Sequence, residues 1–462
     1  MAAPRLILSS LSLGNFRGFK SENKISLAPL TFLVGPNSCG KSSLFAAIAL
    51  LAQSDIDFRD PLSSRVVWDG RLVDAGSFSD AVFGHKTNLT IKIVIEMSSN
   101  PVFAAPWRKI RAQDGRATPV RFSVGMRKGG KGQLGVVSSM SICDVLTDQV
   151  LAMELIPKRP RSPAKLLVNV GQRKFQMSGV IEGSARNSGR QFLKRLNEAI
   201  GAQTRRDPHA TAGWKRIYRF CTSWAFQGFL MTVQRVSSGR SSPKRSYPLS
   251  GGDRFYYSHS PSRFDSVDPT VLQDLMDPES RRKSKGPRLE KLLNTLDIGS
   301  RLEAFHLSPY HSAIQVKDNR TGVISNLIDV GYGASQIIPV IAACESESDS
   351  PLFVEQPEIH LHPRAQGQVA DVLIDTSRKR QVFVETHSVH MINRARIAVA
   401  EGKLLPTDVS VLYVDRDRRG SHVLSIPIQK DGEFAVEWPE GFFEERYRDT
   451  LELLAAKSEH AK

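Results

Sequence analysis

Gly35-Pro-Asn-Ser-Cys-Gly-Lys-Ser42 satisfies the spacing G-x-x-x-x-G-K-[ST] at every fixed position. Gly35 and Gly40 let the backbone curl so that successive N–H groups aim inward at phosphate oxygens. Lys41 supplies a point charge for β- and γ-phosphates. The Ser42 hydroxyl is a candidate Mg²⁺ ligand, and Ser43 can hydrogen-bond a phosphate. Pro36, Asn37, Ser38 and Cys39 form the rest of the cradle. A helix starting here adds roughly half a positive charge at its N-terminus.

Three further segments carry candidate chemistry. Leu352-Phe-Val-Glu-Gln-Pro-Glu358 reads as an apolar strand running into two carboxylates three residues apart. Glu355 is placed to hold Mg²⁺ through water, and Glu358 to orient and polarise an attacking water. An acidic turn after a strand is the plainer alternative. Gln381-Val-Phe-Val-Glu-Thr-His-Ser388 ends a second apolar strand at His387, a candidate contact to the γ-phosphate or to that water. A lone histidine after a strand also fits a structural role. His360, His362 and His390 suggest a metal site, but they fit the nucleotide scheme better. Asp329-Val-Gly-Tyr-Gly-Ala-Ser-Gln336 opens an apolar helix. Gly331 and Gly333 permit close backbone approach, and Ser335 and Gln336 lie at the helix start, a second anion site. One nucleotide does not need two such loops from one chain. It does if a partner chain supplies the second.

These residues need elements to position them. Residues 6–13 and 25–34 read as strands, and Ser43–Gln53 as a helix, the context a phosphate loop requires. Leu89–Met97 alternates apolar and polar side chains, as a half-buried strand does. Between 105 and 190, strand-like pieces alternate with basic loops such as Arg127-Lys-Gly-Gly-Lys131 and Lys158-Arg-Pro-Arg161. Helical patterns follow at about 188–201, 211–232, 269–276 and 287–298. Further on, Leu352–Val354 and Val382–Val384 flank a helix starting near Pro363. Strand-like segments at 409–414, 422–428 and 433–437 precede a charged helix at about 443–457. The fold class is α/β: a nucleotide-binding domain formed by 1–100 and 323–462, split by a mixed strand and helix insertion, 101–322.

Composition narrows the partners. The chain has 462 residues, 63 Lys+Arg against 47 Asp+Glu, and a net charge of +16. Residues 101–250 hold 27 Lys+Arg and 7 Asp+Glu, so the basic excess belongs to the insertion. No apolar run approaches a membrane span, and the start lacks a signal-peptide layout. Four scattered cysteines make no disulfide framework. A reducing cytoplasm is the expected compartment, with no membrane partner.

The order of the motifs resembles the ABC/SMC-class ATPases, and among them stand-alone AAA-family ATPases related to RecF and to the overcoming-lysogenization-defect nucleases. Asn15-Phe-Arg-Gly-Phe19 looks like the turn that lies near the nucleotide base, which implicates Asn15, Phe16 and Arg17. Val73-Asp-Ala-Gly-Ser-Phe-Ser-Asp80 resembles the segment that follows the phosphate loop. The tail Gly432–Phe443 is similar to an uncharacterised C-terminal domain found on a subset. The middle matches only in patches, such as Arg240-Ser-Ser-Pro-Lys-Arg-Ser-Tyr247.

The resemblance implies two chains sandwiching two ATP molecules with Mg²⁺, as a homodimer or higher oligomer. Lys41 and Glu358 of one chain would face Gly333 and Ser335 of the other. Glu355 stands where Asp is usual, and Gln53 is a candidate for the Mg²⁺-sensing glutamine. The implied activity is ATP hydrolysis. The implied role is a sensor or scaffold for a separately encoded effector, such as a nuclease, in prokaryotic anti-phage defence. The alternative is a DNA-repair or recombination ATPase that clamps duplex DNA. A scaffold that binds ATP without turnover fits less well with an intact Glu358. Asp415-Arg-Asp417 mimics a nuclease motif but reads better as a charged turn. Arg159, Arg161, Lys165, Arg173, Lys174, Arg186, Arg190, Lys194 and Arg195 could track phosphates, or form a solvated surface or a dock for an acidic partner.

Overall fold

The computed structural model describes residues 4–104, 119–129, 135–156, 165–178, 185–206, 211–222, 230, 232–240, 242–248, 262–263, 285–308, 310–346 and 350–439. Arg159, Arg161 and the expected helices at 269–276 and 443–457 lie outside them, as does the side chain of Arg186.

Two large sheets carry the molecule. The first is antiparallel, in the order β2-β1-β4-β5-β6-β7-β8-β9. Its strands are β1 (Pro4–Gly14), β2 (Asn23–Ser26), β4 (Ile91–Ala104), β5 (Val120–Arg127), β6 (Val136–Asp144), β7 (Gln149–Ile156), β8 (Lys165–Val170) and β9 (Arg173–Ser178). In β8 every second residue is buried, the pattern of a sheet with one face on a core.

The second sheet runs β12-β10-β16-β17-β3-β18-β19. It comprises β3 (Leu30–Val34), β10 (Gln234–Val236), β12 (Ser262–Arg263), β16 (Leu352–Glu355), β17 (Val382–Glu385), β18 (Val409–Asp417) and β19 (Gly420–Ser425). All pairings are parallel except β18 with β19. β3, β16 and β17 are buried along their whole length, as the central strands of a parallel sheet covered on both faces must be. A third, small sheet joins β11 (Tyr247–Pro248), β14 (His311–Lys317) and β13 (Arg301–Ser308), with β15 (Ile324–Asn326) on β14.

The helix Lys41–Gln53 lies between the two large sheets and is buried along almost its whole length, because KSSLFAAIALLAQ is apolar on every side. Phe45 packs edge-on against Phe353 and Phe383, whose rings stack at 4.6 Å. The helices Tyr332–Glu345, Pro363–Ser377 and Val389–Ala400 cover the other face of the parallel sheet. Among the described residues no helix is long and apolar enough to cross a membrane.

Several sequence expectations change. The strand expected over 25–34 is two strands in different sheets, since the chain crosses between them at Leu27–Pro29. Gln381 braces the crossing: its side-chain amide donates to the carbonyls of Leu8 and Ala28 and accepts from the Leu8 N–H. The boundary expected at residue 100 falls inside β4, and its sheet continues to Ser178. The expected insertion also contributes β10 to the parallel sheet, beside β16. A change in charge density does not interrupt a β-ladder, so the boundary drawn from composition is not a boundary between sheets.

Candidate functional site

The strand order β16-β17-β3 brings three loops together at the carboxyl ends of adjacent parallel strands, where ligands of such sheets bind. β3 leads into the phosphate loop, β16 into the acidic turn and β17 into the histidine loop. In register, Glu355 pairs with Glu385, and Glu385 with Leu33.

Gly35 has φ +136°, and a Cβ there would lie 2.0 Å from the Val414 carbonyl oxygen, so only glycine passes beneath β18. Gly40 caps the helix at φ +108°. Pro36, Asn37, Ser38 and Ser42 are exposed, while Cys39, Lys41 and Ser43 are buried. The Lys41 ammonium donates to the carbonyls of Gly35 (3.0 Å) and Pro36 (2.6 Å). Ser421 on β19 fixes the loop from outside, its hydroxyl donating to the Cys39 carbonyl at 2.6 Å.

Glu355 is buried and fully engaged. Its Oε1 accepts from Arg235 at 2.8 and 2.5 Å, and its Oε2 from the Ser238 N–H at 3.2 Å. Arg235 also donates to the Leu72 carbonyl. Glu358 Oε1 accepts the His387 N–H at 2.6 Å. By contrast Glu358 Oε2, Glu385 Oε2 and His387 Nε2 are buried with no partner. Such atoms are rare in folded proteins, and a water, an ion or a ligand can supply the missing bonds.

Burial pushes the Glu358 carboxyl above the usual range, against the opposing His387 N–H. Burial, then the neighbouring Glu355 charge, pushes Glu385 up to about 7, with Lys41 pulling the other way. Burial and Lys41 together lower His387, which keeps its imidazole neutral.

The unpartnered oxygens beside Lys41 fit a polyphosphate with a divalent cation. Among the described residues no three His, Cys, Asp or Glu converge on one point to hold a metal by themselves. Mg²⁺ suits this, since it takes one or two protein oxygens and fills its shell with phosphate and water. Ser42 and Glu355 are the oxygen donors the sequence points to, and Glu355 would have to share its charge with Arg235.

Other predicted residues sit differently. Phe16 is wholly buried in the core and cannot meet a base. Asn15 spends its amide on the Thr90 carbonyl at 3.0 Å. Arg17 remains half-buried, its Nη2 donating to the Asp74 carbonyl at 3.4 Å. Gln53 is at the far end of its helix, with its amide bonded to Val67, Leu72 and Val73, so it braces that loop instead of sensing a metal. Asp415 accepts from the Arg416 N–H within β18, and Asp417 from the Arg419 and Gly420 N–H groups of the β-turn that follows.

The signature helix opens at Gly331, which is exposed with Tyr332, while Ser335 and Gln336 are buried. The Ser335 hydroxyl donates to the Tyr332 carbonyl at 2.7 Å. A Cβ on Gly333 would lie 2.4 Å from the His360 carbonyl oxygen, and the Tyr332 ring packs edge-on against His360. Gly331, Tyr332 and Gly333 line an open groove of about 1040 Å³ with His360, His362 and Arg364. No phosphate-loop residue lines it.

Sequence reasoning missed Arg235, Arg240 and Glu385. Glu385 had a signal, because Phe353-Val-Glu355 and Phe383-Val-Glu385 repeat the same strand ending.

Residues 7–122 and 270–392, over half of the chain, match a family described as AAA ATPase domain. The chain belongs to this family, which bears out the expected ABC/SMC-class AAA-family ATPase. Residues 404–453 match a family described as a protein of unknown function, DUF3696, in keeping with the likeness read from the tail. Among particular proteins, the chain is similar to the Old nuclease of Escherichia phage P2. It is 22% identical over 419 residues, spanning 85% of this chain but 58% of that protein's length. Solved structures of similar outline include an SMC head bound to the C-winged helix domain of ScpA (TM-score 0.43, 13% identity, 92% of this chain and 99% of that one). The SMC head domain from Thermotoga maritima is another (TM-score 0.37, 12% identity, 91% and 99%).

The raised Glu385 carboxyl makes stability depend on pH. The folded chain holds this proton up to about pH 7, whereas an unfolded carboxyl releases it near pH 4.5. Stability is therefore full below the unfolded value and declines as pH rises through the folded one. Glu385→Gln should be the more stable protein at pH 8 in metal-free buffer, by about 1–3 kcal/mol, with the gap closing toward pH 5. Thermal denaturation at both pH values measures this. An equal gap at both would contradict the assignment.

Proposed function

We propose that the chain is an ATP-binding and ATP-hydrolysing ABC-class ATPase that dimerises around ATP. In this reading it acts as sensor or scaffold for a separately encoded effector, of nuclease type, in prokaryotic anti-phage defence. The observation that carries the ATPase reading is the set of unpartnered buried atoms, Glu358 Oε2, Glu385 Oε2 and His387 Nε2, gathered at the ends of two adjacent parallel strands, β16 and β17. Support for a nuclease-type effector comes from the likeness to the Old nuclease, and the defence role rests on the resemblance carried by the order of the motifs.

The residues divide the work. Lys41 exchanges the carbonyls of Gly35 and Pro36 for phosphate oxygens. Ser42 and Glu355 would hold Mg²⁺, which would supply positive charge against the phosphates. Glu358 takes the proton of the attacking water through Oε2, while the His387 N–H holds Oε1. Its raised proton affinity makes it a better acceptor than an exposed carboxylate. Neutral His387 keeps Nε2 for the γ-phosphate. Gly331, Gly333 and Ser335 serve a partner chain's nucleotide, which fits the exposed start of their helix.

Glu358→Gln should bind ATP, turn it over at least about 100-fold more slowly, and accumulate as an ATP-dependent dimer. Light scattering with and without ATP should show the mass doubling. Loss of turnover without ATP-dependent assembly would contradict the sandwich.

A second reading, an ATPase that clamps duplex DNA, is favoured by one observation. Lys165, Arg173, Lys174, Arg190 and Lys194 have no ion-pair partner among the described residues, and all but the half-buried Lys165 are exposed. If all five meet phosphates, log affinity for duplex DNA should fall against log salt with a slope of about −4 to −5. A flat or absent response would exclude this reading and favour a protein partner.

A further inference from the structure

Arg240 lies four residues beyond β10 and is buried, yet its two terminal nitrogens spend their bonds on backbone. Nη1 donates to the Glu355 carbonyl at 3.1 Å and Nη2 to the Gln356 carbonyl at 2.8 Å. These are the last residue of β16 and the first of the acidic turn. Gln356 has φ +43°, a left-handed conformation that costs a non-glycine residue on the order of 1–2 kcal/mol. The Gln356 N–H is pinned from the other side, donating to the Glu385 carbonyl at 2.7 Å. The Gln356 carbonyl also accepts from the Ile359 N–H at 3.3 Å, and the Glu358 carbonyl from the Leu361 N–H at 3.0 Å. The turn between them carries Glu358.

We propose that Arg240 is the positioning residue of Glu358: its guanidinium fork holds the strained Glu355–Gln356 turn in the one conformation that aims Glu358 into the site. Left-handed backbone persists only where neighbours over-determine it, and here a fork and a strand carbonyl do so. Lysine cannot replace the fork, because one ammonium on a flexible stem does not span two carbonyls in fixed directions. The same short segment engages the other acid of the turn, since Arg235 binds the Glu355 carboxylate. The part expected as an insertion thereby sets the geometry of both acids.

The proposal rests on the reading of Glu358 as the group that activates water, and its test separates the two. ATP turnover and ATP affinity are measured for the unaltered chain, Arg240→Met, Arg240→Lys, Glu358→Gln and the double variant Arg240→Met with Glu358→Gln. If the unaltered chain hydrolyses ATP and Glu358→Gln does not impair it, the reading of Glu358 fails. If that reading stands, Arg240→Met should lower kcat about 10- to 100-fold with KM for ATP within about 3-fold. Arg240→Lys should remain impaired, because it restores the charge but not the fork. In the Glu358→Gln background, Arg240→Met should cost nothing further. A rise in KM at unchanged kcat, full rescue by lysine, or a loss that multiplies in the double variant would overturn the proposal. Should Arg240→Met fail to fold, Arg240→Lys carries the same comparison against Glu358→Gln.

Discussion

Three carboxylates stand at the ends of two adjacent parallel strands, Glu355 and Glu385 buried and Glu358 half-buried, and the site depends on how their charge is met. Removing an ion from water is costly unless it is paired or gives up its charge. The structure uses both routes. Glu355 takes the Arg235 fork, while Glu385 holds its proton toward neutral pH. Lys41 lies buried on the neighbouring loop and favours the charged form of Glu385. The balance leaves two carboxylate oxygens and one imidazole nitrogen without partners, a demand that a magnesium nucleotide can meet.

The same arrangement revises what the charge means. Residues 101–250 carry a large basic excess, which on its own suggests a surface for nucleic acid. Part of it is turned inward. Arg235 and Arg240 hold the acidic turn, and Arg216 pairs with wholly buried Asp144 at 2.5 and 2.9 Å. The cations left for an outside partner are fewer than the composition suggests, and Lys165, Arg173, Lys174, Arg190 and Lys194 among them lie on β8, the edge strand β9 and the helix Ala185–Arg206.

The legible parts of the site are those whose residues are close in sequence. The phosphate loop, the acidic turn and the histidine loop each declare themselves by spacing, because each is one strand and the turn after it. Their convergence was legible too, through the order of the motifs. Arg235 and Arg240 were not, because each meets Glu355 across more than a hundred residues, from a strand only three residues long or the segment just after it. Such a strand is too short to show periodicity, and Arg240 stood out only as the start of a family-like patch. The sheet crossing at Leu27–Pro29 was hidden for a different reason, since two short apolar strands in sequence look like one. Phe16 carried a family role in the sequence, but packing assigns it to the core.

The central claim is that Lys41 and the carboxylates around it form an ATP-hydrolysing site. The most direct measurement is steady-state ATP turnover by the unaltered chain beside Lys41→Ala, with thermal denaturation of both as a folding control. The account predicts measurable turnover that falls at least about 100-fold in a folded Lys41→Ala protein. Equal turnover by the two proteins would contradict it.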